Sequence, residues 1–204
     1  MTGPYILILL TISAFITLAD LTNKPCQILA VNTCLSAYIQ GFQNQSYSRY
    51  NERQLHCRLD KELALCADKF LKTCPGGLLA SLGRAVISYV RFDRQNGVCR
   101  WPGYYPLLKK LSSGSGNARW MRKYDRLVYQ CTPSSSARQL DLYCIKAFVQ
   151  RMRKKADLCQ FIPFKYNCLR KGQKVIQSDI LDAVLDIFPE EADKVLKVLC
   201  QKER

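Results

Sequence analysis

The chain has 204 residues, a formal charge of +15 from 31 Lys/Arg against 16 Asp/Glu, and eleven cysteines beside a single histidine, His56. With no C-x-x-C pair and one histidine, zinc-ligand spacing is excluded, and so is a two-histidine ribonuclease. A disulfide framework suited to an oxidising compartment remains, on a chain long enough to bury a core of its own.

Residues 1–19 read as a signal peptide. Ile6 to Ala19 is an apolar run of fourteen residues ending Thr17-Leu18-Ala19, a small-x-small pattern before Asp20. Such a run makes about 21 Å of helix, short of the roughly 30 Å hydrocarbon core, and a membrane anchor is the alternative. The protein is therefore expected to be secreted.

Pro25 to Gln40 predicts a first helix, with Cys26, Leu29, Ala30, Cys34, Ala37 and Tyr38 on one face and Gly41 as its end. The polar loop after it holds Asn44-Gln45-Ser46, an N-glycosylation acceptor. Gln54 to Gly77 is the central helix. At about 100° per residue, Leu55, Leu59, Leu63, Cys66, Phe70 and Cys74 share one arc. Arg58 and Glu62 pair four apart on its outer side, and Pro75-Gly76-Gly77 ends it. Cys66 and Cys74 are expected to meet different neighbours, and Cys57, on another face, to reach outward, the first helix being one choice. His56, at the start of the helix, is expected at the surface.

Leu78 to Phe92 predicts the next helix, and Asn96-Gly97 a turn. Residues 100–106 are irregular, with their rings packed over a core edge. Ser112 to Asn117 is a Ser/Gly linker between an N-terminal helical half, 20–111, and a C-terminal half, 118–204. In the second half, helices are predicted over 118–131 and 137–159. Pro163 interrupts, and two short helices close the chain, divided at Pro189. Strand-like alternation is nowhere sustained, so the fold class is all-α: a disulfide-stapled helical bundle.

Cysteine positions suggest that the two halves are related. Cys57 and Cys66 stand nine apart, as do Cys159 and Cys168, and an offset of 102 also aligns Leu78, Leu79, Leu82 and Val86 with Ile180, Leu181, Val184 and Phe188. In that register Ile176 stands where Cys74 would be. Spacing does not give the pairing among Cys26, Cys34, Cys57, Cys66, Cys74, Cys99, Cys131, Cys144, Cys159, Cys168 and Cys200. One of the eleven is left over, free or bonded to a second chain.

Charge is concentrated in the middle: ten Lys/Arg face six Asp/Glu over 20–99, seventeen face three over 100–175, and four face seven over 176–204. Arg119, Arg122, Lys123 and Arg126 recur at three- and four-residue steps, which makes a positive ridge on a helix. Arg151, Arg153, Lys154 and Lys155 extend it, followed by Lys165, Arg170, Lys171 and Lys174. Such a face suits an anionic extracellular polymer, a membrane surface or an acidic protein. Secretion argues against nucleic acid.

Catalytic signals are weak. His56 is the one base near neutral pKa, no G-x-S-x-G elbow or phosphate loop occurs, and Cys57 is expected in a disulfide. No catalytic, cofactor-binding or metal-ligating residue is assigned, and the protein is not expected to be an enzyme; a hydrolase using His56 is the weakest of three readings. The first reading is a secreted binding or effector protein with a basic face. The second is a carrier or storage protein that holds apolar ligands between its helices.

The segment CRLDKELALCADKFLKTC and the general cysteine layout resemble small secreted cysteine-rich helical proteins of invertebrates, of the insect haemolymph glycoprotein and nematode secreted-domain type. The resemblance implies an extracellular helical scaffold and carries over no functional residue.

Overall fold

The computed structural model of the protein describes residues 4–100, 135–176 and 178–200. Among the described residues there are six α-helices and no strand: α1 (Pro4–Gln43), α2 (Glu52–Leu71), α3 (Gly77–Gln95), α4 (Ser135–Lys154), α5 (Leu158–Gln173) and α6 (Asp179–Cys200), with a 3-10 turn at Gln45–Tyr47. The fold is all-α and stapled by disulfides, and none of the described helices is long and apolar enough to cross a membrane.

Local chemistry sets the helix starts. Asn51 accepts the Gln54 amide at 2.9 Å while Gln54 accepts the Asn51 amide at 3.1 Å, a reciprocal cap that fixes where α2 begins. Arg58 and Glu62 form the expected pair on its exposed side, at 2.9 Å. Asp157 leaves helical geometry (φ −123°, ψ 95°) and accepts the Gln160 amide. That cap stops the predicted 137–159 helix at Lys154 and starts α5 in its place.

Proline and glycine end fewer helices than expected. Pro25 and Pro163 lie inside α1 and α5, on exposed sides where water can take the freed carbonyl. Pro189 does not divide two short helices. Leu181, Val184, Leu185, Phe188, Ala192 and Val195 are all buried, and one continuous packed stripe outweighs the lost hydrogen bond. Gly41 sits within α1, and a Cβ there would run into the buried Leu59 side chain. It is a point of close helix approach, not a stop.

The core has two adjoining parts. One joins α1, α2, α3 and α4 through Val31, Leu55, Leu59, Ile87, Phe148 and Met152, and the other joins α3, α4, α5 and α6 through Phe92, Leu169, Leu181 and Val184. The most extensive pairing is between α3 and α6. There Arg84 meets Glu191 at 2.9 Å with little exposure on either side chain.

Five disulfides are present: Cys26–Cys74, Cys34–Cys66, Cys57–Cys99, Cys144–Cys168 and Cys159–Cys200. Cys66 and Cys74 both reach α1, not separate neighbours, because α1 runs antiparallel along the face that carries them. Cys57 reaches Cys99, just past α3, and not the first helix. The bonds fall in matching order on either side of residues 101–134. Cys34–Cys66 and Cys57–Cys99 are followed by Cys144–Cys168 and Cys159–Cys200. Cys131 is the one cysteine left over; it lies outside the described residues, as do the 112–117 linker and the 118–131 helix.

Candidate functional site

Two features stand out, one buried and one open. The buried feature is a polar cluster to which five helices contribute: Tyr38 from α1, His56 and Asp60 from α2, Tyr89 and Asp93 from α3, Asp141 from α4 and Lys165 from α5. His56 is fully buried, contrary to its expected surface position. The helical face of Leu55, Leu59 and Leu63 is wide enough to take in the next row, His56, Asp60, Ala64 and Ala67.

His56 Nε2 lies 2.7 Å from Asp93 Oδ2 and 3.3 Å from Asp60 Oδ2, and Nδ1 has no partner. Only Nε2 faces acceptors, so the ring is neutral with its proton there. Burial pushes its pKa down to about 3, against the opposing pull of Asp60. Tyr38 Oη donates to Asp60 Oδ1 at 2.8 Å, and Tyr89 Oη to Asp141 Oδ1 at 3.1 Å. Burial also raises both phenols.

Asp93 Oδ1 and Asp141 Oδ2 are buried without a hydrogen-bond partner, and burial drives both carboxyls well above the carboxylate range. Neighbouring carboxyls in a dry interior oppose each other's ionisation, and the charge of Asp93 adds to the rise at Asp141. Lys165 supplies the positive charge among them. Its Nζ stands 3.4 Å from the Tyr89 ring centroid, and burial lowers its pKa while Asp60, Asp93 and Asp141 hold it up. Lys165 therefore belongs to the core and not to the basic face on which its sequence neighbours place it.

The cluster offers little to a reacting substrate. No serine or threonine hydroxyl contacts His56 among the described residues. His56, Asp93 and Cys99 have ligand atoms within 4.8 Å of one another, but the Cys99 sulfur is bonded to Cys57 and provides no thiolate to a metal. The adjoining interhelical cavity, walled by Leu35, Leu63, Val86 and Phe188, has a volume of about 70 Å3. An apolar cavity that admits benzene is about 150 Å3, so this one is far too small for a lipid chain.

The open feature is a groove of about 510 Å3 between α2, α4 and the turn after α3. Arg53, Arg58, Lys61, Arg100 and Arg138 line it, and among the described residues no carboxylate does. Arg58 is in an ion pair with Glu62; its guanidinium also donates to Tyr50 Oη at 3.0 Å and lies 4.6 Å from the Tyr47 ring centroid. Among the described residues Arg53, Lys61, Arg100 and Arg138 have no acidic partner. A second cavity of about 560 Å3 continues the groove past Gly97 and Arg138 and is lined by Gln95, Asn96 and Gln139. Asn96 is buried and its side-chain nitrogen has no acceptor.

The residues expected to bind an anion are elsewhere. Arg119, Arg122, Lys123 and Arg126 lie outside the described residues. Arg151 stacks on Phe164 at 3.8 Å, and Arg153 donates to the Tyr50 carbonyl at 2.7 Å, so both pack against the fold. Lys154 and Lys155 are exposed, Lys155 lying 3.6 Å from Asp157. Asn44 is exposed, its side-chain oxygen accepting the Ser46 amide at 2.9 Å. The groove cations come from three separated segments, one of them low in charge excess, so no linear run marks them. The four-residue steps Arg53–Cys57–Lys61 on α2 are the one local signal.

No family model, curated protein or solved structure matches the chain.

Proposed function

We infer that the protein is a secreted, non-enzymatic binding protein that engages an anionic extracellular partner through a basic surface. One observation carries this: five cations converge on one concavity in which, among the described residues, no carboxylate stands. In ordinary surfaces charges of opposite sign are interspersed, and a one-signed concavity focuses the field on an anion. Five disulfides supply the rigidity and suit an oxidising compartment. Exposed Asn44, in its acceptor sequence, carries N-linked glycan in this reading, and Cys131 is the residue through which a disulfide-linked dimer would form.

The oxidised protein should be retained by at least one immobilised anionic probe (heparin, phosphatidylserine vesicles or polyglutamate) beyond about 0.15 M salt, where the Debye length is near 8 Å. Arg53→Ser/Lys61→Ser/Arg138→Ser should then elute earlier. Elution of both proteins from every probe at or below that salt would leave the charge as solvation alone. The carrier reading draws less support, given the size of the interhelical cavity.

A further inference from the structure

We propose that the groove and its continuation form one binding site for a linear sulfated polysaccharide, a deepening that rests on the anionic-partner reading. The two cavities share Gly97 and Arg138 and differ in chemistry: one is cationic, the next is lined by side-chain amides. A ligand that spans both must carry fixed negative charge and also many neutral hydrogen-bonding oxygens along a narrow chain. Sulfated sugars have both.

Shape excludes the simpler anions. A bilayer surface is flat and meets protruding cations, whereas Arg53, Lys61 and Arg138 stand on opposite walls of a trough. From Arg53 to Lys61 the α2 wall is about 12 Å long, so successive sulfates on one chain can be met by successive turns of helix. Single-stranded nucleic acid binds through stacks of exposed aromatic faces, and among the described residues the groove has one ring, Tyr50, which already packs against Arg58. Asn96 supplies an independent pointer. It is a buried side-chain donor without an acceptor in the wall of the amide-lined cavity, and a sugar hydroxyl, ring oxygen or sulfate oxygen reaching in would satisfy it.

The test uses the full oxidised chain and heparin oligosaccharides of increasing length, with affinity measured by calorimetry over a range of salt. Affinity should rise with length until both cavities are filled and then level off. Arg53→Ser/Lys61→Ser/Arg138→Ser should bind at least tenfold more weakly and lower the salt slope by about 2, by analogy with counterion release. Lys154→Ser/Lys155→Ser/Lys174→Ser removes the same charge outside the groove and should stay within twofold of wild type. Gln139→Ala should weaken binding severalfold without changing the slope.

Equal loss in the two triple variants would overturn the site, because net charge alone would then explain binding. If phosphatidylserine vesicles, polyglutamate or single-stranded DNA bind with groove dependence while heparin fragments do not, the polysaccharide is overturned and the anionic-partner reading stands. If no probe binds, both fall. Matching circular dichroism and melting of the exposed-site variants separates lost binding from lost folding.

Discussion

His56, Asp60, Asp93 and Asp141 differ in what an amide replacement would do, because their oxygens differ in what they face. Asp60 Oδ1 accepts from Tyr38 Oη, and Oδ2 lies 3.3 Å from His56 Nε2, whose hydrogen bond runs to Asp93. Asp60→Asn therefore sets an amide N–H against another donor and should cost about 2 kcal/mol or more. Asp141 accepts at Oδ1 from Tyr89 while its Oδ2 has no partner and burial pushes its carboxyl up, so Asp141→Asn keeps the acceptor and puts a neutral amide where a charge is disfavoured. At neutral pH it should cost less than about 1 kcal/mol. Acid separates the two states further. His56 has a folded pKa lowered to about 3, so its contribution is complete above its unfolded value and is lost as pH falls through that window. The Asp93–Asp141 pair has a raised folded pKa, so its contribution is complete at low pH and is lost as pH rises through that value. The slopes oppose each other between about pH 4 and 6.5, and Asp141→Asn removes one of them. Urea titrations should show the variant losing up to about 1.4 kcal/mol per pH unit more than wild type as pH falls across this range; parallel curves would refute the raised Asp141 carboxyl. Sequence spacing showed the Arg58–Glu62 pair directly. It concealed His56 because a polar residue at a helix start reads as solvated, although Ala64 and Ala67 continue its row into the core.

Among the helices, α1 and α2 meet where Gly41 lies against Leu59, which is itself fully buried. Gly41→Ala should cost about 1–3 kcal/mol through overpacking, even though alanine is the better helix former. Pairing it with Leu59→Ala should recover part of that loss, and strictly additive effects in thermal melts would place the strain elsewhere. The α3–α6 contact responds differently. Burial alone would raise the Glu191 carboxyl, but hydrogen bonds from Arg84 and neighbours hold it below the usual range. Glu191→Ala leaves the Arg84 guanidinium without its carboxylate at a poorly hydrated interface and should cost about 3 kcal/mol. Periodicity located the central helices α2, α3 and α4, because amphipathic stripes are local, but it gave no helix over Leu158–Gln173, where Pro163 and Gly172 read as breaks. It misplaced ends at Gly41, Pro163 and Pro189, which lie inside continuous helices, and at Cys159, where the local Asp157 cap ends one helix and starts the next. The groove was illegible because Arg53, Arg100 and Arg138 become neighbours only after α2 and α4 pack.

At the scale of the molecule, covalent and non-covalent connections divide the chain in different ways. All five described disulfides stay within 26–99 or within 144–200. The non-covalent core does the reverse: α3 packs along α6, α2 and α1 pack on α4, and the polar cluster takes side chains from both sides. The cysteine register seen in the sequence follows the first pattern, since Cys57–Cys99 and Cys159–Cys200 occupy corresponding places, while Cys74 pairs with Cys26 and its counterpart position holds Ile176. It could not reveal the second pattern, which depends on faces meeting in space. A protease site inserted in place of Ser112–Asn117 separates the two. After cleavage of the oxidised protein, a denaturing gel without reductant should show two fragments, because no described disulfide links them. Size exclusion under native conditions should show one species at the intact volume, held by the α3–α6 contact and by Lys165 among the carboxylates of α2, α3 and α4. Adding Glu191→Ala should weaken that association before it unfolds either piece. Two native peaks from the cleaved wild type would mean that each half holds its core alone, and the buried cluster would then be a contact between domains instead of the centre of one fold.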